Sequence, residues 1–202
     1  MPKKTKRSIP FQYRLPKPLP HTAAISTSTI PINTAPASTA AASTAPARDQ
    51  QSLYHCLHSL LEDLSGVEQS PRYHPEGDAL YHSLQVFQCA LAECSNPQLW
   101  AAALFHDVGK AIHYAAHAAE GADELEGLLH PSICWLVRHH LDLLTHPKRT
   151  RARLKGSKAL QQLEQLRRWD LQGRKTDIEV MEVTQALDIL LPYFPVIQAN
   201  RQ

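Results

Sequence analysis

At 202 residues, with 43% hydrophobic and 20% charged residues, the chain has the size and balance of one ordinary globular domain, with or without a tail. No apolar run reaches the ~18 residues of a membrane span, and the basic N-terminus lacks the apolar stretch of a secretory signal, so neither a membrane protein nor an exported one is expected. The four cysteines, Cys56, Cys89, Cys94 and Cys134, form no CxxC pair and no disulfide framework, which points to a reducing cytoplasm.

Charge is unevenly spread. Residues 1–48 hold Lys3, Lys4, Lys6, Arg7, Arg14, Lys17 and Arg48 and no acid, which leaves 14 basic residues against 19 acidic ones in the body. The same segment contains eight of the 15 prolines, and residues 21–47 repeat Ser-Thr and Ala-Pro units. So little apolar surface cannot offset the entropy of ordering, and the segment is expected to be a disordered tail. Such a charge can mark a tail that seeks nucleic acid, with an RNA contact, or a membrane surface, but a solvated leader with no partner is the expectation. A transit peptide would share the basic, Ser-rich, acid-free composition, but the prolines would interrupt its amphipathic helix.

A helical domain is expected over 49–202. Residues 51–64 place Leu53, Leu57, Leu60 and Leu61 on one helical stripe, and Gly66 ends that helix. A loop with two prolines follows over 70–77. Asp78 can cap a second helix running to about Cys94, with Leu84, Phe87 and Leu91 inward. Asn96-Pro97 opens a third in the favoured cap-then-proline order. Its residues 99–105 are apolar on every side, the mark of a helix in the middle of a domain. It runs straight into His106-Asp107-Val108-Gly109-Lys110, where Gly109 would permit a sharp turn. Further helices are expected over about 115–129, 131–145, 157–172 and 177–191, with a basic exposed loop over 148–158. Nothing alternates as a strand does, so the fold class is all-α, a bundle of about seven helices.

Nine of the 12 histidines fall between His74 and His146. A charged Asp107 at the end of an all-apolar helix costs several kcal/mol unless it is paired or bound to a metal. Neighbouring helical side chains point about 100° apart, so His106 and Asp107 can form a hydrogen-bonded pair or converge on an ion. His82 shares a face with Val86 and Cys89, as a core histidine or a ligand. Asp170 shares the buried stripe of Leu163, with Arg174 one turn further, as an ion pair or as site residues. The spacing of Ile133, Val137, His140 and Leu144 turns His140 inward and leaves His139 lateral. His117 shares a face with Gly121, Leu125 and Leu128.

In this order (Tyr81-His82-Ser83, then Leu104-Phe105-His106-Asp107-Val108-Gly109-Lys110, then Trp169-Asp170-Leu171-Gln172-Gly173-Arg174) the residues resemble the HD superfamily of metal-dependent phosphohydrolases. The nearest likeness is to the HD domain appended to bacterial CCA-adding tRNA nucleotidyltransferases. Residues 72–78, Arg-Tyr-His-Pro-Glu-Gly-Asp, resemble the loop before the first metal histidine there, and His117 with Glu120-Gly121-Ala122 resembles the helix after the His-Asp pair. The likeness covers roughly residues 54–174. No nucleotidyltransferase signature with paired carboxylates lies upstream, so nucleotide addition is not expected.

The resemblance implies an HD-domain helical bundle in which His82, His106, Asp107 and Asp170 hold a divalent metal ion. Two histidines with two carboxylates suit Mn, Fe, Co, Ni, Zn or Mg. Asp107 would orient the attacking water or take its proton. Lys110 and Arg174 each follow a metal ligand within a turn, as phosphate clamps or as ordinary surface charge, and Arg72 and Arg138 are weaker candidates of the same kind. His74 lines the substrate pocket or is a turn histidine bonded to backbone. His117 and His140 would bind phosphate around a single ion or hold a second one, and the single ion is the expectation. The implied activity is hydrolysis of a nucleotide-like phosphoester, as a phosphatase or 2′,3′-cyclic phosphodiesterase. The alternatives are a di-iron oxygenase and a silent nucleotide-sensing module, and the intact ligand set argues against the second.

Overall fold

The computed structural model describes residues 45–199, and the expectations for residues 1–44 lie outside them. The described residues form an all-α bundle without a strand, apart from two isolated bridges, Glu68 with Asp78 and Leu129 with Gln198. Its helices are α1 (Ala45–Glu62), α2 (Ala79–Glu93), α3 (Pro97–Phe105), α4 (His117–Leu125), α5 (Pro131–His139), α6 (Asp142–Thr145), α7 (Pro147–Arg153), α8 (Lys158–Gln172), α9 (Val183–Leu190) and α10 (Phe194–Ile197). Short 3₁₀ turns cover Val108–Ala111, Tyr114–Ala116 and Leu191–Tyr193. No helix among the described residues is long and apolar enough to cross a membrane.

The apolar helix α3 is the axis. Every residue from 99 to 105 is at most 4% exposed, and α2, α5, α8, α9 and α10 all pack against it. Each large side chain buried there, such as Leu104 or Phe105, contributes roughly 1.5–3 kcal/mol. Asn96 and Pro97 start α3 as expected, the Asn96 side chain accepting the Gln98 N–H at 3.0 Å. Asp78 caps α2 by accepting the Tyr81 N–H at 2.8 Å. Its other oxygen accepts the Gly66 N–H at 2.7 Å, which ties the end of α1 to the start of α2.

Several local expectations are corrected. α1 begins at Ala45, inside the segment assigned to the tail. The fifth expected helix breaks after His139 into α5 and α6, and most of the expected loop over 148–158 is α7. The seventh expected helix starts only at Val183, because residues 174–182 lie along α2 instead. There the Gln85 amide accepts the Lys175 N–H at 3.1 Å and donates to the Lys175 carbonyl at 2.8 Å. The Tyr81 hydroxyl likewise donates to the Ile178 carbonyl at 2.6 Å and accepts its N–H at 3.0 Å. Side chains about 90 residues away thus satisfy backbone that would otherwise need a helix.

Two glycines allow close approaches that shape the site. Gly109 has no positive φ, so it is not needed for a sharp turn. A Cβ there would lie 2.1 Å from the His117 carbonyl oxygen and 2.5 Å from the Gly121 N. The turn after α3 is therefore laid directly on the backbone of α4, which brings His117 toward Asp107. At Gly173 a Cβ would lie 2.6 Å from a Val86 methyl, so only glycine lets the end of α8 close on α2 beside His82.

Candidate metal centre

His106 ends α3 in helical conformation, and Asp107 then takes φ −109°, ψ 5°, in the sparsely used bridge region where many active-site residues sit. That change of direction lets both side chains converge. His82 comes from the first turn of α2, His117 from the first residue of α4, and His140 from the end of α5. Asp170 comes from the last turn of α8. All six are buried.

The histidine rings are oriented by one repeated device. Nδ1 of His82, His106, His117 and His140 donates to the carbonyl of Gly173, Ala103, Tyr114 and Val137 at 2.9, 2.9, 2.7 and 2.6 Å. A carbonyl only accepts, so in each neutral ring Nε2 carries a lone pair. All four Nε2 atoms face Asp107. Its Oδ2 lies 3.2 Å from His106 and 3.8 Å from His82, and its Oδ1 lies 3.2 Å from His117 and 3.7 Å from His140. The Nε2 atoms of His82 and His106 make no hydrogen bond, and those of His117 and His140 stand 3.3 Å apart. Lone pairs aimed at one another and at a carboxylate require positive charge between them, a proton or a metal ion. The donor set fits a metal ion on both sides of Asp107: His82, His106 and Oδ2 on one, His117, His140 and Oδ1 on the other.

Asp170 Oδ1 lies 3.4 Å from His82 Nε2, on the first side. Its oxygens also accept from Arg174 at 2.8 Å and Arg167 at 2.7 Å. Lys110 lies 2.6 Å from Asp107 Oδ2 and donates to the side chain of Gln69. Burial alone would push the Asp107 carboxyl up. His106, Lys110 and His117 outweigh it and hold the group well below the usual carboxylate range. Asp170 is likewise buried yet held far below that range by His82, His106 and Arg174. Burial also pulls His82 down, but the nearby carboxylates of Asp170, Glu76 and Asp107 raise it to about 9. Burial and neighbouring His106 push His140 down to about 3 against the pull of Asp107.

A cavity of about 420 Å³ opens onto Asp107. Its walls include His74, His106, Lys110, His117, His140, Asp170 and Arg174, while fully buried His82 lies behind them. Arg72 and Arg138 are not among the lining residues. The Arg72 guanidinium lies over the Tyr73 ring at 5.3 Å, and Arg138 pairs with Asp123 and Glu126. His140 points inward, and His139 packs on Trp135 and bonds Asp142 at 3.0 Å. Sequence reasoning missed Arg167, which lines the cavity. It also missed Gln69 and Glu76. The Glu76 carboxylate, fully buried, sits 2.8 Å from Nδ1 of His82 and 2.9 Å from Nδ1 of His74. The only sequence signal for Glu76 was its place in the 72–78 stretch.

An all-α bundle with a His, His-Asp, Asp set around one buried carboxylate defines the class. The HD domain family matches residues 79–186, more than half of the chain, and the chain belongs to it. HD domains form a metal-dependent phosphohydrolase-type superfamily and bind divalent metals. Among individual proteins, the chain is similar to the Multifunctional CCA protein of Halorhodospira halophila, 46% identical over 52 residues, which are 26% of this chain and 12% of that one. The Multifunctional CCA protein of Methylococcus capsulatus is 46% identical over the same 26% and 12%. That of Hahella chejuensis is 33% identical over 84 residues, 37% of this chain and 20% of the relative. The chain thus spans only 12 to 20% of the length of these curated relatives.

Proposed function

We propose that the chain is a metal-dependent phosphohydrolase that cleaves a phosphoester of a small, nucleotide-like substrate, as a phosphatase or 2′,3′-cyclic phosphodiesterase. The observation that carries this reading is the set of four carbonyl-anchored imidazoles whose Nε2 atoms face Asp107 beside a cationic cavity. His82, His106, Asp107 and Asp170 would hold one ion. Asp107, His117 and His140 would hold a second, which departs from the single-ion expectation. When bound, such ions supply Lewis acidity toward a phosphoryl oxygen and lower the pKa of water. Lys110, Arg167 and Arg174 supply cations for the remaining phosphate oxygens. Asp107, held ionised, orients the attacking water. The seven basic residues and absent acids of residues 1–48 suit an RNA contact.

The two-sided arrangement around Asp107 also keeps a di-iron oxygenase in view. Assays of p-nitrophenyl phosphate and 2′,3′-cyclic AMP with Mn, Co, Ni or Mg separate the readings. Chelator-sensitive phosphate release is expected. Oxygen-dependent product with two irons per chain would favour the oxygenase, and no ester turnover with any metal would contradict the hydrolase. His140→Ala is expected to lower metal content by one ion per chain while circular dichroism keeps the helical spectrum. An unfolded variant would assign His140 a structural role instead. Glu76→Gln removes the carboxylate behind His82 and is expected to weaken Mn binding by about 10–100-fold, read by calorimetry. Unchanged affinity would deny Glu76 that role.

A further inference from the structure

A strongly basic face lies beside the cavity on a part of the chain that the proposed chemistry does not use. Between Asp142 and Glu164 there is no acid, and Lys148, Arg149, Arg151, Arg153, Lys155 and Lys158 fall within that interval, all exposed. They concentrate in a body where acids outnumber bases 19 to 14. Arg151 and Arg153 reach the two bordering acids, Glu164 at 3.1 Å and Asp142 at 3.0 Å. Lys148, Arg149, Lys155 and Lys158 have no carboxylate within ion-pair distance among the described residues. Packing so many like charges together costs repulsion that a counter-charged partner would relieve.

The basic segment follows directly on α6, which borders the cavity. Pro147 starts α7 directly after α6, and Thr150, 2% exposed, donates its hydroxyl to the Asp142 carbonyl at 3.2 Å. Leu144 of α6 lines the cavity, as does Leu141 just before it. Tyr73 and Tyr114 also line the cavity and are 57% and 45% exposed. Exposed aromatic rings beside a phosphate-binding pocket suit the stacking of bases. α7 has no large apolar side chain to insert into a bilayer, so a lipid surface is the poorer fit.

We propose that α7 and the turn after it bind the phosphate backbone of a single-stranded polynucleotide, so that the phosphorylated end of the strand enters the cavity. This rests on the phosphohydrolase reading and extends it from small esters to a strand terminus. The acidic remainder of the body would repel the strand elsewhere and so orient it.

The test uses the full chain and a variant carrying Lys148→Glu, Arg149→Glu, Lys155→Glu and Lys158→Glu. The probe is a fluorescein-labelled RNA of about 12 nucleotides with a 3′-phosphate. Loss of four phosphate contacts is expected to flatten the slope of log affinity against log salt by about 3 and to slow hydrolysis of the RNA end. Turnover of p-nitrophenyl phosphate should stay unchanged. Equal RNA affinity and equal salt slope in the variant would overturn the proposal. Binding of the wild type to phosphatidylserine vesicles but not to RNA would overturn it in favour of a membrane. Wild-type protein that binds RNA through this face but hydrolyses neither ester would retain the interface and sink the phosphohydrolase reading.

Discussion

Asp107→Ala is expected to abolish metal binding and to lower phosphate release by about a thousandfold or more. Among the described residues Asp107 is the one carboxylate that faces all four imidazole Nε2 atoms, so its loss removes a shared ligand from both sides of the centre at once. Without it the His117 and His140 side keeps only neutral imidazoles, and the other side keeps only Asp170, whose charge is shared with Arg167 and Arg174, to offset dehydration of a divalent ion. Lys110 would also lose its 2.6 Å partner, and breaking a buried pair costs about 3–5 kcal/mol. Asp107→Asn therefore serves as the control that keeps the shape. Metal analysis, phosphate assay and thermal melting of both variants check the expectation. An active, metal-free Asp107→Ala protein would contradict the assigned role.

Metal affinity is also expected to climb with pH, by about tenfold per unit between roughly pH 6 and 8 for one proton released. His82 is raised to about 9, so below that pH its Nε2 holds a proton where a metal would bind. A metal ion must displace that proton, and acid therefore weakens binding. The slope flattens above about 9, where the proton is already gone. His140, pushed down to about 3, is neutral throughout and releases nothing. Calorimetry in two buffers of different ionisation enthalpy counts the protons. An affinity independent of pH over this range would mean that His82 is not a ligand.

Much of the frame was legible from local chemistry. Asn96-Pro97 marked the start of α3, and the unbroken apolar run from Leu99 to Phe105 marked it as the buried axis. The periodicity of Ile133, Val137 and His140 pointed His140 inward. Other features depended on contacts between distant parts of the chain. The stretch after Arg174 is not helical because Tyr81 and Gln85 bind its backbone. α7 lacks an apolar stripe, so its charges read as a loop. Arg167 sits three residues before Asp170 and reached the cavity only once α8 was placed. Arg138 had the opposite fate, because Asp123 and Glu126 on α4 and its C-terminal cap draw it away from the cavity.

Elemental analysis of the full-length protein, loaded with Mn and freed of excess metal, tests the central claim most directly when paired with phosphate release from the same sample. Two ions per chain, removed by a chelator together with the activity, are the predicted result. Protein that binds no metal, or that releases phosphate equally well without it, would contradict the account.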